Sequence, residues 1–191
     1  MRRRLLFFLT ALLLIATGSA PVAQESTQLQ ALVEAAEAGD ADAQFNLGTR
    51  HAQGQGVATS DTLAVEWLRR AADQGHTRAR YNLGLMYLVG RGVAEDPDAA
   101  VDWFLLAAAD GYPDAMHNLG AAYANGTGVM QDATRAFMWL SLAVEEDDRP
   151  SPTTSEVMRD AVSRRLTPEQ RAEAEQAATT CRESRFSACG E

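Results

Sequence analysis

Ala79-Arg-Tyr-Asn-Leu-Gly-Leu-Met-Tyr-Leu-Val-Gly-Arg-Gly-Val93 recurs, little changed, 36 residues upstream and 36 residues downstream. The upstream copy is Ala43-Gln-Phe-Asn-Leu-Gly-Thr-Arg-His-Ala-Gln-Gly-Gln-Gly-Val57. The downstream copy is Ala115-Met-His-Asn-Leu-Gly-Ala-Ala-Tyr-Ala-Asn-Gly-Thr-Gly-Val129. A gapless period of this length marks a repeat solenoid, in which each unit is too small to bury its own apolar face and stacks on its neighbours.

This period divides the chain into three units, 40–75, 76–111 and 112–147, and each predicts two helices. In the first helix Ala43, Leu47 and His51 stand four apart, matched by Ala79, Leu83 and Tyr87 and by Ala115, Leu119 and Tyr123, which places them on one stripe. Gly48, Gly84 and Gly120 follow the leucine each time. A mid-helix glycine costs about 1 kcal/mol against alanine, so its return at one register predicts close approach of a neighbouring helix. A Gly-x-Gly-Val turn then reverses the chain at Gly54, Gly90 and Gly126. It lacks the third glycine and the preceding strand of a dinucleotide-binding loop, and it occurs three times, so a structural turn is the better reading. The second helix starts from Ser60, Asp96 and Asp132, which are good N-caps, and Pro97 suits a first helical position. Ala64-Trp67-Ala71, Ala100-Trp103-Ala107 and Ala136-Trp139-Ala143 read as packing stripes, with the tryptophans as core.

The flanks read differently. Met1-Arg-Arg-Arg4, an apolar run from Leu5 to Ala16 and a small-residue tail predict a secretory signal peptide over 1–23, with cleavage possible after Gly18, Ala20 or Ala23. The run is shorter than the ~20 residues of a membrane span, so no span is expected after cleavage. A polar leader and a capping helix ending at Gly39 are expected over 24–39. Beyond the acidic stretch Glu145-Glu-Asp-Asp148, residues 148–180 predict a degenerate helix pair. One helix carries Val157, Met158, Ala161, Val162 and Leu166, and the other opens at the capping box Thr167-Pro-Glu-Gln170 and runs to about Ala178. The pair is expected to close the C-terminal end. The tail, 181–191, holds both cysteines, and an even pair in an exported chain predicts a Cys181–Cys189 disulfide rather than half a zinc shell.

The formal charge is −9, and loss of the three leader arginines takes it to −12, so no basic nucleic-acid footprint is present. The chain contains no lysine, which excludes Schiff-base, P-loop and Ser-x-x-Lys chemistry. His51, His76 and His117 occupy three different frame positions and make no i, i+4 metal pair, and no nucleophile constellation recurs. No catalytic residue, metal or cofactor is assigned, and the expectation is a non-enzyme. Asn46, Asn82 and Asn118 recur within the first helices and are expected to bond backbone as a ladder of amides, with a ligand role as the alternative. Asn125-Gly-Thr127 spells a glycosylation sequon at a turn the repeat already explains.

The unit Ala-x-x-Asn-Leu-Gly-x-x-Tyr-x-x-Gly-x-Gly-Val-x-x-Asp-x-x-x-Ala-x-x-Trp, whole at Ala79–Trp103 and Ala115–Trp139, resembles the Sel1-like repeat, a longer relative of the tetratricopeptide repeat. The first unit departs from it with His51 and Ser60. The resemblance implies an all-α, right-handed solenoid of antiparallel helix pairs that serves as an adaptor or regulatory binding module. A cysteine-rich branch associated with penicillin binding or weak β-lactamase activity carries a disulfide in every repeat. No cysteine lies in these repeats, so that association does not transfer.

By the same resemblance, first helices line a concave groove, which places Phe45, Thr49, Ala52 and Gln53, then Tyr81, Leu85, Leu88 and Val89, then His117, Ala121, Ala124 and Asn125 along it. The middle set is the most apolar, and packing between neighbouring helices is the other reading of it. Arg50, Arg78, Arg80 and Arg91 stand near by and could meet an acidic partner. The expected function is an exported, periplasmic or secreted module binding a peptide or protein segment. A cell-envelope enzyme or small-ligand binder and a structural assembly protein remain the alternatives, and the oligomeric state is open.

Overall fold

The structure is a computed structural model that describes residues 20–149, 153–186 and 189. Residues 1–19 of the expected signal peptide lie outside the described residues. Among the described residues there are nine helices and no strand: α1 (Ala20–Glu37), α2 (Ala41–Gln53), α3 (Asp61–Asp73), α4 (Thr77–Val89), α5 (Pro97–Ala109), α6 (Pro113–Asn125), α7 (Ala133–Glu145), α8 (Thr154–Ser163) and α9 (Pro168–Glu183). From α1 to α7 each helix packs on its neighbours in the chain, which is an all-α solenoid. No described helix is long and apolar enough to cross a membrane.

The helix starts arise from side-chain chemistry. Asp40 accepts from the Ala43 amide and His76 Nδ1 from the Ala79 amide, while Ser60, Asp96 and Asp132 cap α3, α5 and α7. These oxygens and the imidazole nitrogen satisfy amide protons that have no partner inside the helix. The third first helix differs: Tyr112 makes no side-chain cap, and Pro113 opens α6 instead. At the N-terminal end α1 runs back through the stretch expected to be a loose leader. Gln24-Glu-Ser-Thr-Gln28 contains no helix breaker, and Pro21 stands in the first turn, where its missing donor does no harm.

The mid-helix glycines permit close approach within each unit. A Cβ on Gly48 would lie 2.9 Å from Leu68 Cγ, one on Gly84 2.4 Å from the Phe104 ring, and one on Gly120 2.5 Å from Leu140 Cγ. The second glycine of the turn has another role. A Cβ on Gly92 would lie 2.4 Å from the Asp61 carbonyl oxygen, and one on Gly128 2.2 Å from that of Pro97, so each turn rests against the first residue of the preceding unit's second helix. Arg91 reinforces the first of these junctions, donating to the Ala52 carbonyl at 2.5 Å and pairing with Asp61 at 2.7 Å.

The core is deepest in the third unit. Trp139 is fully buried, whereas Trp67 and Trp103 are only half-buried, so the expectation of three core tryptophans holds for one. Arg70 lies over the Trp67 ring instead. Trp139 stands beside Leu105 of α5 and the tail residues Phe186 and Cys189. Both α8 and α9 lie against α7, and they do not form with each other the close antiparallel pair seen in the repeats. α9 presents Ala174, Ala178 and Cys181 to the core, small enough to lie close, and extends to Glu183 rather than Ala178. On α8, Val162 is buried but Val157 and Ala161 are exposed, so the apolar stripe read from the sequence is only partly used.

Cys181 and Cys189 are bonded. Their loop carries Phe186 back onto the second unit, where its ring lies 3.3 Å from the place a Cβ would take on Gly111. Leu105, Leu106 and Ala109 of α5 border that site together with Trp139. The corresponding positions of α3 are Arg69, Arg70 and Asp73, so the second unit is apolar where the tail covers it and the first is charged at the same register.

Candidate interaction groove

Between the first helices of adjacent units the surface opens into two cavities. The first, about 230 Å³, lies between α2 and α4 over Leu68 of α3 and is walled by Thr49, Ala52, Gln53, Asn82, Leu85, Met86, Val89 and Arg91. The second, about 140 Å³, lies between α4 and α6 over Val101 and Phe104 of α5 and is walled by Leu88, Asn118, Ala121, Ala122, Asn125 and Thr127. The two repeat one construction. Positions 82, 85, 86 and 89 of one first helix recur as 118, 121, 122 and 125 of the next, because each first helix holds the same place in the 36-residue repeat.

Eight of the twelve expected groove residues come to these cavities: Thr49, Ala52, Gln53, Leu85 and Val89 at the first, and Leu88, Ala121 and Asn125 at the second. Val89 is 65% exposed. Of the other four, Ala124 is buried, and Phe45, Tyr81 and His117 share a single frame position and make contacts between units. Phe45 is 6% exposed, its ring stacked 4.4 Å from His76 with the Arg78 guanidinium 4.7 Å over it. Tyr81 repeats this one unit later, 5.0 Å from Tyr112 and 5.9 Å from Phe104. Burial first, and then the charge of Asp114, push the Tyr81 phenol above the usual tyrosine range, so it stays protonated.

His117 continues the series at the C-terminal end, where no fourth unit offers a ring. Its Nδ1 lies 2.9 Å from the hydroxyl of Ser155, which is 2% exposed and belongs to α8. Desolvation lowers the imidazole pKa, opposed by the charge of Asp114. A serine, a histidine and an aspartate therefore stand together, but the hydroxyl is sealed from solvent and the contact joins the cap to the third unit. Because the folded pKa is depressed, the unfolded chain binds this proton more readily, and stability falls as pH drops below about 6.5. Urea unfolding at pH 7.5 and pH 5 is expected to show that loss in the parent and a smaller one in His117→Gln.

The amide column departs from the expected ladder. Asn118 contacts the Tyr81 phenol. No hydrogen bond among the described residues ties the side chain of Asn46 or Asn82, and Asn82 borders the first cavity. Arg80 is occupied, pairing with Asp110 at 2.8 Å, as is Arg91. Arg50 and Arg78 meet no carboxylate among the described residues. A third opening, about 440 Å³ between α7, α8 and α9, is lined by groups that mostly satisfy one another, with Glu145 held by Arg182, Asp160 by Arg159, and Arg171 donating to the Ser163 carbonyl. Among the described residues no histidine, cysteine and carboxylate cluster could hold a metal.

The family described as Sel1 repeat matches residues 41–76, 77–112 and 113–148. Among solved structures, one similar chain is c5321, described as a protective antigen present in uropathogenic Escherichia coli strains displaying an SLR fold, at 45% identity and TM-score 0.60 over 62% of this chain. A Sel1 repeat protein from Oxalobacter formigenes is similar at 35% identity and TM-score 0.61 over 71% of this chain. The present chain spans 25% of the first and 97% of the second. No curated protein matches the sequence.

Proposed function

The chain belongs to the Sel1-repeat family, whose repeats are generally protein-interaction modules, and from that premise we propose that it holds an extended segment of a protein partner along the α2–α4–α6 face. The observation that carries this reading is the pair of open cavities on one face, apolar in their walls and edged by the unbonded amide of Asn82. Apolar walls favour side chains leaving water, and a free amide such as that of Asn82 can bond the main chain of a segment whatever its sequence. The charged leader, the short apolar run and the cysteine pair support export, with the periplasm as the compartment.

Affinity capture from an envelope extract tests the reading, with the chain from residue 24 as bait beside a Leu85→Ser, Val89→Ser variant of equal helicity. A partner retained by the parent and depleted at least tenfold with the variant is the expected result. Equal capture by both would place binding elsewhere on the molecule.

A further inference from the structure

The tail beyond α9 lies over a face that suits it and no other unit repeats. Cys181 is bonded to Cys189, eight residues on, and Phe186 between them borders Leu105, Leu106 and Ala109 of α5 together with Trp139. At the same register the first unit has Arg69, Arg70 and Asp73, and the third has Ser141, Leu142 and Glu145. Only the second unit is apolar at all three positions, and it is the one the Phe186 ring covers.

The covered arrangement carries two costs. Arg185 and Phe186 have φ of 52° and 66°, and among the described residues no other side-chain-bearing residue is left-handed. Each is disfavoured by the clash of its Cβ with main chain, so the pair favours a different path for the tail. The indole N–H of Trp139 is buried and finds no acceptor among the described residues, which also favours the entry of water. Against these stand one half-buried ring and the bond that closes the 181–189 loop.

That bond is open to attack from one end. Cys181 is 1% exposed, whereas Cys189 borders two openings, about 430 Å³ beside α5 and about 370 Å³ between α7 and α9.

We propose that the Cys181–Cys189 bond is a redox latch: a dithiol reductant opens it, Phe186 lifts from α5, and the face formed by Leu105, Leu106 and Trp139 meets solvent. A thiolate of the reductant bonds to the Cys189 sulfur and displaces the Cys181 thiolate. The reductant's second thiol then displaces Cys189, so two electrons and two protons pass to the cysteine pair and the reductant leaves as a disulfide. Exchange with a disulfide oxidant runs the same steps backwards and closes the tail. The repeats contain no cysteine, so they keep their fold in both states.

Hydroxyl-radical footprinting of the full chain, read residue by residue by mass spectrometry, tests the latch. The oxidised parent is compared with the parent reduced by dithiothreitol and freed of reagent under argon, with Cys181→Ser, Cys189→Ser, and with Phe186→Ala in its oxidised form. Labelling of Trp139 and Leu105 is expected to rise roughly threefold or more on reduction, toward that of half-buried Trp67 and Trp103, and to return on reoxidation. Buried Leu47 and Leu83 should stay unlabelled and the helix signal unchanged. The double serine variant should match the reduced parent, and Phe186→Ala should show the rise with its disulfide intact. Unchanged labelling in a reduced, folded chain would overturn the proposal, as would an oxidised Phe186→Ala that labels like the parent. Loss of helix signal on reduction would also overturn it, because the bond would then hold the C-terminal helices together rather than the tail.

Discussion

Gly128→Ala is expected to lower the unfolding free energy by roughly 2–4 kcal/mol, the sum of a left-handed backbone penalty and an overpacking term. Gly128 has a φ of +68°, where a side chain is strained, and its Cβ would stand 2.2 Å from the Pro97 carbonyl oxygen. That obstacle is main chain at the start of α5, so no rotamer change relieves it. Gly126→Ala supplies the comparison. Its φ is +75°, but its Cβ would meet Gln131 Cβ at an ordinary 3.4 Å, so only the backbone penalty of about 1–2 kcal/mol applies. Urea unfolding of both variants, monitored by helix signal, separates the two terms. Equal losses would mean that the turn does not bear on the preceding unit. Because the second and third units meet at this junction, the larger loss should also broaden the transition, as expected when one interface of a linear array fails before the rest.

Phe104→Ala carries the second large effect, about 3–5 kcal/mol. Phe104 is 1% exposed, fills the space that Gly84 leaves on α4, packs under Tyr81 and floors the second cavity. Its loss should be measurable as a lower denaturation midpoint, and the emptied floor should make the α4–α6 cavity larger. Combining it with Gly84→Ala tests the packing directly. The methyl on residue 84 occupies volume that the ring vacated, so the double variant should lose less than the sum of the singles, with a coupling of roughly 1 kcal/mol or more. Strict additivity would contradict the contact.

The repeats were legible because each physical requirement is stated three times. Asp96 alone is one aspartate before a proline; with Ser60 and Asp132 at the same register it is a cap, and all three cap their helices. Gly84 alone is a weak helix residue, but with Gly48 and Gly120 it signals a close approach, and the second helix of each unit supplies it. The C-terminal end was less legible because nothing there recurs. The sequence does not show that α8 and α9 lie separately on α7, and the tail's return to α5 depends on surfaces remote in the chain. One signal was available: Leu105, Leu106 and Ala109 stand where the first unit has Arg69, Arg70 and Asp73, an apolar face awaiting a cover.

The candidate groove was legible as a set of helix positions but not in its depth. Phe45, Tyr81 and His117 lie along the same helices as the cavity residues, and only the identity of their partners separates them. His76, Tyr112 and Ser155 draw that register into the joints between units. Recurrence of aromatic character at positions 45 and 81, facing ring residues at 76 and 112, was the trace of this in the sequence. The unbonded amide at Asn82 had no such trace, since the residues that could have bonded it are set by packing alone.

Site-specific photocrosslinking in cells that export the full chain is the most direct test of the groove. A photoreactive residue is placed at Val89, at Asn125 and, on the opposite side of the helix pairs, at Leu106, which is 44% exposed. A partner held in the groove gives the same adduct from positions 89 and 125 and none from 106. An adduct from 106 without the other two, or no adduct from any, would contradict it.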